Sequence, residues 1–163
     1  MLKTAGAIAI IVFIALPAAI VLAGQLGFLN GKRPADLGAR NGRLKAPVEK
    51  KWNVVSSQAA QHPHTAYHVI KPLRFTGDGE AAMTRLTAQV GGMDGATVID
   101  SQPGYLYAEF QTTLLKFVDD VEFLLDEPAG VIHMRSASRL GSKDFGVNRK
   151  RLEAIRERFT QIG

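Results

Sequence analysis

From Ala5 to Ala23 the chain reads AGAIAIIVFIALPAAIVLA, with no charged and no strongly polar side chain. A helix that is apolar on every side must be buried in a large core or in lipid. About 20 such residues are enough to cross a bilayer. Gly24 to Phe28 adds one polar residue, Gln25, and Pro17 is tolerated in a membrane helix when neighbours satisfy the freed carbonyl. Two readings fit. One is a transmembrane anchor over residues 1–28. The other is a long signal peptide, with Lys3 as its positive start and Val21-Leu22-Ala23 as a small-residue cleavage site. Secretory apolar regions run about 7–15 residues, so the length favours the anchor. A core helix fits poorly with an uncharged run at a chain terminus.

The expected location is the plasma (inner) membrane, crossed once. Lys32, Arg33, Arg40, Arg43 and Lys45 follow the run, against Lys3 before it. The positive-inside rule therefore points to a cytoplasmic domain, and an anionic cytoplasmic leaflet suits such a flank. The signal-peptide reading places the domain on the other side, and the side stays open.

The formal charge of +5 would suit nucleic acid if it lay on the folded part. It does not. Residues 29–51 carry seven basic and two acidic side chains, whereas residues 52–163 carry 12 basic and 13 acidic ones. A near-neutral domain argues against a nucleic-acid groove. The absence of cysteine excludes disulfides, thiolate metal sites and cysteine nucleophiles.

Residues 29–51 read as a basic flexible linker, because Gly, Pro, Asn-Gly pairs and charges occur there without a hydrophobic period. Residues 52–163 then read as one domain. Tyr67 to Phe75 suggests a first strand, interrupted by Pro72 and so at an edge or bulged. Asp78 to Val90 suggests a helix with Met83, Leu86 and Val90 on one face, stopped by Gly91-Gly92. Ala96–Ser101, Tyr105–Thr112, Phe117–Leu125 and Val131–Ala137 alternate or run as strands with short connections, which favours antiparallel neighbours. A last helix, from Asp144 or Val147 to Gln161, carries the stripe Leu152, Ile155, Phe159 and Ile162. The expected fold class is α+β: an N-terminal transmembrane helix, then one antiparallel sheet of about four to five strands with two helices on one face.

Strand parity gathers Tyr105, Tyr107, Glu109, Asp120, Glu122, His133 and Arg135 on one polar sheet face, with Arg135 able to meet Asp120 or Glu122. Carboxylates beside His and Arg suit acid–base work or anion recognition, and equally an ordinary set of ion pairs. Parity puts Asp119 on the apolar side, where a carboxylate needs partners. Arg139, Ser136 or Ser138 could supply them, or a bulge could turn Asp119 outward. The stretch from Arg135 to Arg151 leads into the last helix. Its Ser136, Ser138, Arg139, Asp144, Asn148 and Arg149 could hold an anion at a helix N-terminus, or simply cap and solvate that helix. His62, His64 and His68 could bind zinc. Their spacing matches no standard motif and Pro63 interrupts it, so a flexible surface loop is the expected reading. No cofactor or metal is expected.

The runs VSSQA (55–59), HVIKPL (68–73), YLYAEFQT (105–112), FVDDVEFLLD (117–126) and RSASRLGSKDFGVNRKRLEAIR (135–156) resemble the domain-of-unknown-function family 1499, from about Arg33 to residue 160. The resemblance implies a bacterial or plastid-type protein, often exported or membrane-attached. It implies no activity. Relatives often carry a Cys pair just before VSS, where this chain has APVEKKWNVVSS, so a redox or disulfide role tied to that pair is not expected here. The expected function is a membrane-anchored, non-catalytic module that binds an anionic small molecule or an envelope protein. The alternative is a hydrolase- or lyase-type enzyme using Glu109, Asp119 or Asp120 with Arg135 or Arg139.

Overall fold

The computed structural model describes residues 11–162. The alternating segments build a six-stranded sheet, antiparallel throughout: β1 (Val54–Ser56), β2 (Leu73–Arg74), β3 (Ala96–Gln102), β4 (Tyr105–Gln111), β5 (Val118–Asp126) and β6 (Val131–Ser138). The order is β1-β6-β5-β4-β3, and β2 pairs with the same edge of the sheet as β1, further along β6. The α-helices among the described residues are α1 (Leu16–Gln25), α2 (Gly79–Gly91) and α3 (Val147–Ile162).

Helices α2 and α3 cover one sheet face, because each has one apolar stripe to bury. Met83, Leu86 and Val90 of α2 and Leu152, Ile155 and Phe159 of α3 close over Leu106, Ala108, Val121, Phe123, Ile132 and Met134. The Asp78 carboxylate caps α2 by accepting the Ala81 N–H at 2.8 Å, and Gly92 ends the helix. The β4–β5 register sets Glu109 opposite Asp120 and Tyr107 opposite Glu122, all on the face away from the helices.

Three expectations change. The strand expected over Tyr67–Phe75 shrinks to Leu73–Arg74, preceded by a 3-10 turn at Ala66–His68. Arginines of α3 take the carbonyls that a ladder would use: Arg149 donates to the Tyr67 and Val69 carbonyls at 2.7 and 2.8 Å, and Arg156 donates to those of Lys71 and Pro72. With β1, the sheet has six strands rather than four to five.

Secondly, the stretch expected as a flexible linker lies across the polar sheet face. Arg33 Nε donates to Glu109 Oε1 at 2.7 Å, the Gly38 N–H to Glu122 Oε1 at 2.8 Å, and the Leu44 N–H to Gln58 Oε1 at 2.8 Å. Leu44 is buried and Gly31 lies against Arg139 and Leu140. We call residues 30–44 the strap.

Thirdly, among the described residues no helix is long and apolar enough to cross a membrane. A five-residue π-helical turn, Ile11–Ala15, leads into the ten residues of α1. Together they rise roughly 22 Å at ~1.5 Å per residue, short of a hydrocarbon core of about 30 Å. The rest of the expected anchor, residues 1–10, lies outside the described residues. The C-terminal end of α1 is fastened to the β4–β5 turn. Gln25 Nε2 donates to the Leu114 carbonyl at 2.8 Å, and a side chain at Gly24 would come within 2.5 Å of the Leu115 carbonyl oxygen. Val12 to Ile20 are exposed, so α1 projects away from the domain.

Candidate functional site

The polar face carries the largest cluster of charge. Arg139, just past β6, reaches back over β5 to Asp120, with Nη2 2.7 Å and Nε 3.0 Å from Oδ1. The same guanidinium meets Glu109 and the Tyr107 hydroxyl oxygen. The Tyr107 hydroxyl lies 2.7 Å from Asp120 Oδ1 and 2.9 Å from Glu109 Oε1, so its single proton serves one carboxylate at a time. Arg33 closes the cluster from the strap, with Nη2 2.5 Å from Glu109 and its guanidinium over the Tyr107 ring. Beside it, Arg135 Nη1 donates to Glu122 Oε2 at 2.9 Å, and the Tyr105 hydroxyl and the Gly38 N–H donate to Glu122 Oε1. Asp120 is 1% exposed and Glu122 0%.

The cluster is therefore an interior network. Each buried carboxylate has a guanidinium and further donors, which is what a buried charge requires. One donor is left over: Arg135 Nε is buried without a partner among the described residues.

Asp119 is on the helix side, as parity places it, but its partner is not Arg139. Arg151 Nη2 of α3 donates to Asp119 Oδ2 at 2.6 Å, and its guanidinium stacks 4.8 Å from the Phe110 ring centroid. No bulge turns Asp119 outward; it pairs in register with Phe110 and Ser138. Arg139 and Arg151 thus divide adjacent carboxylates between the two sheet faces. Arg151 escaped the sequence reading because it lies on a helix 32 residues away, where strand parity assigns no partner. Its position next to Leu152 of the core stripe was the available signal.

The stretch leading into α3 is equally self-contained. The Asp144 carboxylate accepts the Asn148 N–H at 2.8 Å and the Gly146 N–H at 3.1 Å, capping the helix, and the Tyr67 hydroxyl donates to it as well. Asn148 accepts from the Ser136 hydroxyl at 2.5 Å and donates to Ser138 Oγ and the Asn53 carbonyl. Arg149 is occupied by two carbonyls. The structure thus assembles Glu109, Asp120 and Arg139 into one network, pairs Arg135 with Glu122, and places Asp119, Ser136, Ser138, Asp144 and Asn148 across the sheet, where Arg151 joins Asp119 to Ser136 and Asn148 and Arg149 is held apart by two carbonyls.

Burial opposes ionisation of Glu109 and Asp144, but the bonds they accept outweigh it. Arg139, Tyr107 and Arg33 hold Glu109 below the usual carboxylate range, and Tyr67 with the Asn148 and Gly146 amides does the same for Asp144. Burial, then the hydrogen bond to Asp144, pushes Tyr67 up to about 12. A carboxyl depressed by folding adds stability above its unfolded pKa, about 4 for these groups, and loses it as pH falls through the folded value. A tyrosine raised by folding adds stability below about pH 10 and loses it above. Denaturation midpoints are therefore expected to be flat near neutrality, to fall below about pH 4 and to fall again above about pH 10. Glu109→Gln should shallow the acid limb. A midpoint independent of acid pH would contradict these assignments.

His68 is not in a flexible loop. It is buried, accepts the Thr65 N–H at Nδ1 (2.9 Å), and donates from Nε2 to the Lys51 carbonyl (2.8 Å), which sets its tautomer. Among the described residues no three His, Cys, Asp or Glu side chains are grouped to hold a metal.

One opening lies at the end of the sheet where α1 is fastened. A cavity of about 310 Å³ is bounded by the β4–β5 turn and the loop before α3, with Phe117, Val118, Leu140, Phe145 and Val147 as apolar lining and Ser138 and Asp119 among its polar lining. Lys143 stands at its edge. It forms no ion pair among the described residues, and its ammonium is 5.4 Å from the Trp52 ring centroid. Clefts of about 540 and 470 Å³ run along the helices, at Lys71–Arg74 and at Glu80–Ala88, and the first also sets Lys71 and Arg74 beside Leu73 and Phe159.

No curated protein and no solved structure matches the chain. One family model does, over residues 44–159, so the match begins at Leu44, the last residue of the strap, and runs through the sheet to α3. It covers well over half of the chain, and the chain accordingly belongs to the family described as protein of unknown function (DUF1499).

Proposed function

We propose that this chain is a membrane-anchored, non-catalytic binding module whose ligand is an amphipathic anion, an apolar chain with one acidic head. The carrying observation is a division of labour. The charged groups of the sheet face are consumed by one another, while the cavity at the α1 end offers apolar lining and Lys143, which forms no ion pair among the described residues. Its volume suits a small ligand; such sites span roughly 300–1,000 Å³. The anchor is the apolar run Ala5–Ala23, whose exposed part projects from the same end. The hydrolase- or lyase-type alternative is the weaker reading, since Asp119, the one of its carboxylates that lines the cavity, is bonded to Arg151. A general base must reach a substrate proton, and Asp120 and Glu109 lie bonded to Arg139 beneath the strap.

The test is photo-labelling of the full chain in phosphatidylcholine vesicles with a fatty acid that carries a diazirine along its tail. The expected result is labelling of Val118 and Ser138 in the cavity lining. It should be competed by unlabelled fatty acid and weakened about fivefold by Lys143→Glu. Labelling confined to the rim at Leu140 and Phe145, without competition, would overturn the ligand reading.

A further inference from the structure

Phe145 is 91% exposed and has φ +53°. A bulky side chain in the left-handed region costs roughly as much as an ordinary hydrogen bond contributes, and such residues concentrate where function holds them. Exposure gives this ring no share in folding. It has apolar company: Leu114 is 61% and Phe28 75% exposed, and Phe117 and Leu140 are partly so. These residues occupy one end of the molecule. Gln25 is bonded to Thr113 and Leu114, Gly31 lies against Leu140, and Leu140, Phe117 and Phe145 share the cavity. Lys116, another non-glycine residue with positive φ, and Lys143 stand among them. The opposite end, at the β5–β6 turn, carries Asp126, Glu127 and Pro128 instead.

We infer that this end of the domain is a lipid-contacting surface, with Phe145, Leu114, Phe117 and Leu140 inserted into the bilayer interface and Lys116 and Lys143 on anionic headgroups. The inference rests on the proposed anchor, because α1 delivers this end to the membrane its apolar run enters. Aromatic and aliphatic side chains flanked by lysines are the composition of interfacial segments. Each lysine near an anionic surface strengthens association about fivefold. Insertion would also set the cavity mouth at the depth where an amphipathic ligand resides. It accounts for the exposure and the backbone strain at Phe145 together.

The chain has no cysteine, so single substitutions place a nitroxide label at one site. Phe145→Cys, Leu114→Cys, Ala129→Cys and Ile14→Cys full-length chains are reconstituted into vesicles of phosphatidylcholine with and without phosphatidylglycerol. Collision of each label with oxygen is compared with collision with a water-soluble nickel chelate. The expected result is oxygen-dominated collision at Phe145 and Leu114 and nickel-dominated collision at Ala129. Nickel-dominated collision at both Phe145 and Leu114 overturns the inference. If Ile14 is then lipid-buried, the anchor stands without it; if Ile14 is aqueous, the anchor falls too. Lipid burial at Phe145 with Ile14 aqueous upholds the contact and removes the anchor. In phosphatidylglycerol vesicles, Lys116→Glu with Lys143→Glu should raise nickel access at position 145. No change there would overturn the headgroup role of the lysines.

Discussion

Arg139→Ala is expected to destabilise the domain by roughly 3–5 kcal/mol, the cost of leaving a buried ion pair without one partner. The residue is the hub of the polar face: its guanidinium bonds Asp120 twice and also meets Glu109 and Tyr107. Removing it leaves Asp120, 1% exposed, with only the Tyr107 hydroxyl as donor, beside a Glu109 that keeps Arg33. Against a typical domain stability of about 5–15 kcal/mol this is a large fraction, and the melting temperature should drop on the order of 10 °C. Adding Asp120→Asn to Arg139→Met should recover part of the loss, because the stranded charge goes with its partner. Chemical denaturation of the single and combined variants checks this. A cost under about 1 kcal/mol for Arg139→Ala would mean a solvated pair and a face open to ligands.

Gly38→Pro should cost about 3 kcal/mol, although the position lies in a stretch that reads as a tether. Gly38 has φ +100°, whereas proline is fixed near −65°. The substitution also deletes the N–H that meets the Glu122 carboxylate at 2.8 Å, a bond to a buried charge worth about 1.5–3 kcal/mol. Gly38→Ala separates the two effects. It keeps the N–H and meets no atom within 4 Å, so only the backbone penalty of about 1 kcal/mol remains. A free linker predicts no loss for either variant, and even a small gain for proline. Urea midpoints distinguish these outcomes.

The legible part of the chain is where burial follows a short period. Tyr105 to Gln111 alternates because one side of β4 faces α2 and α3, and Leu152, Ile155 and Phe159 step at helical spacing for the same reason. Parity carried as far as Arg135 opposite Asp120 or Glu122, of which the register selects Glu122, and Asp119 on the apolar side. It stopped where a contact is polar, long-range and made by backbone. The strap has one buried apolar residue, Leu44, and is otherwise held by Arg33, by the Gly38 amide and by Gln58. None of these has a local pattern. The strand expected over Tyr67–Phe75 is shorter, at Leu73–Arg74, because Arg149 and Arg156, some 80 residues away in sequence, satisfy the carbonyls before it. Asp119 and Asp120 are neighbours in sequence, but their arginines come from α3 and from the end of β6, and only the three-dimensional packing assigns each to its own face.

The charged sheet face therefore belongs to the interior, and the open chemistry belongs to the α1 end. That division turns on whether residues 30–44 stay in place over Asp120 and Glu122. Native-state amide hydrogen exchange of the full chain, read at Gly38, tests it most directly. A strap held in place predicts a Gly38 amide protected well beyond an unstructured chain, with protection reduced in Glu122→Gln, which weakens the bond that the amide donates. Exchange at the rate of an unstructured chain would mean that the strap is a free linker and that the carboxylate–arginine face is open to solvent and ligands, which contradicts an interior network.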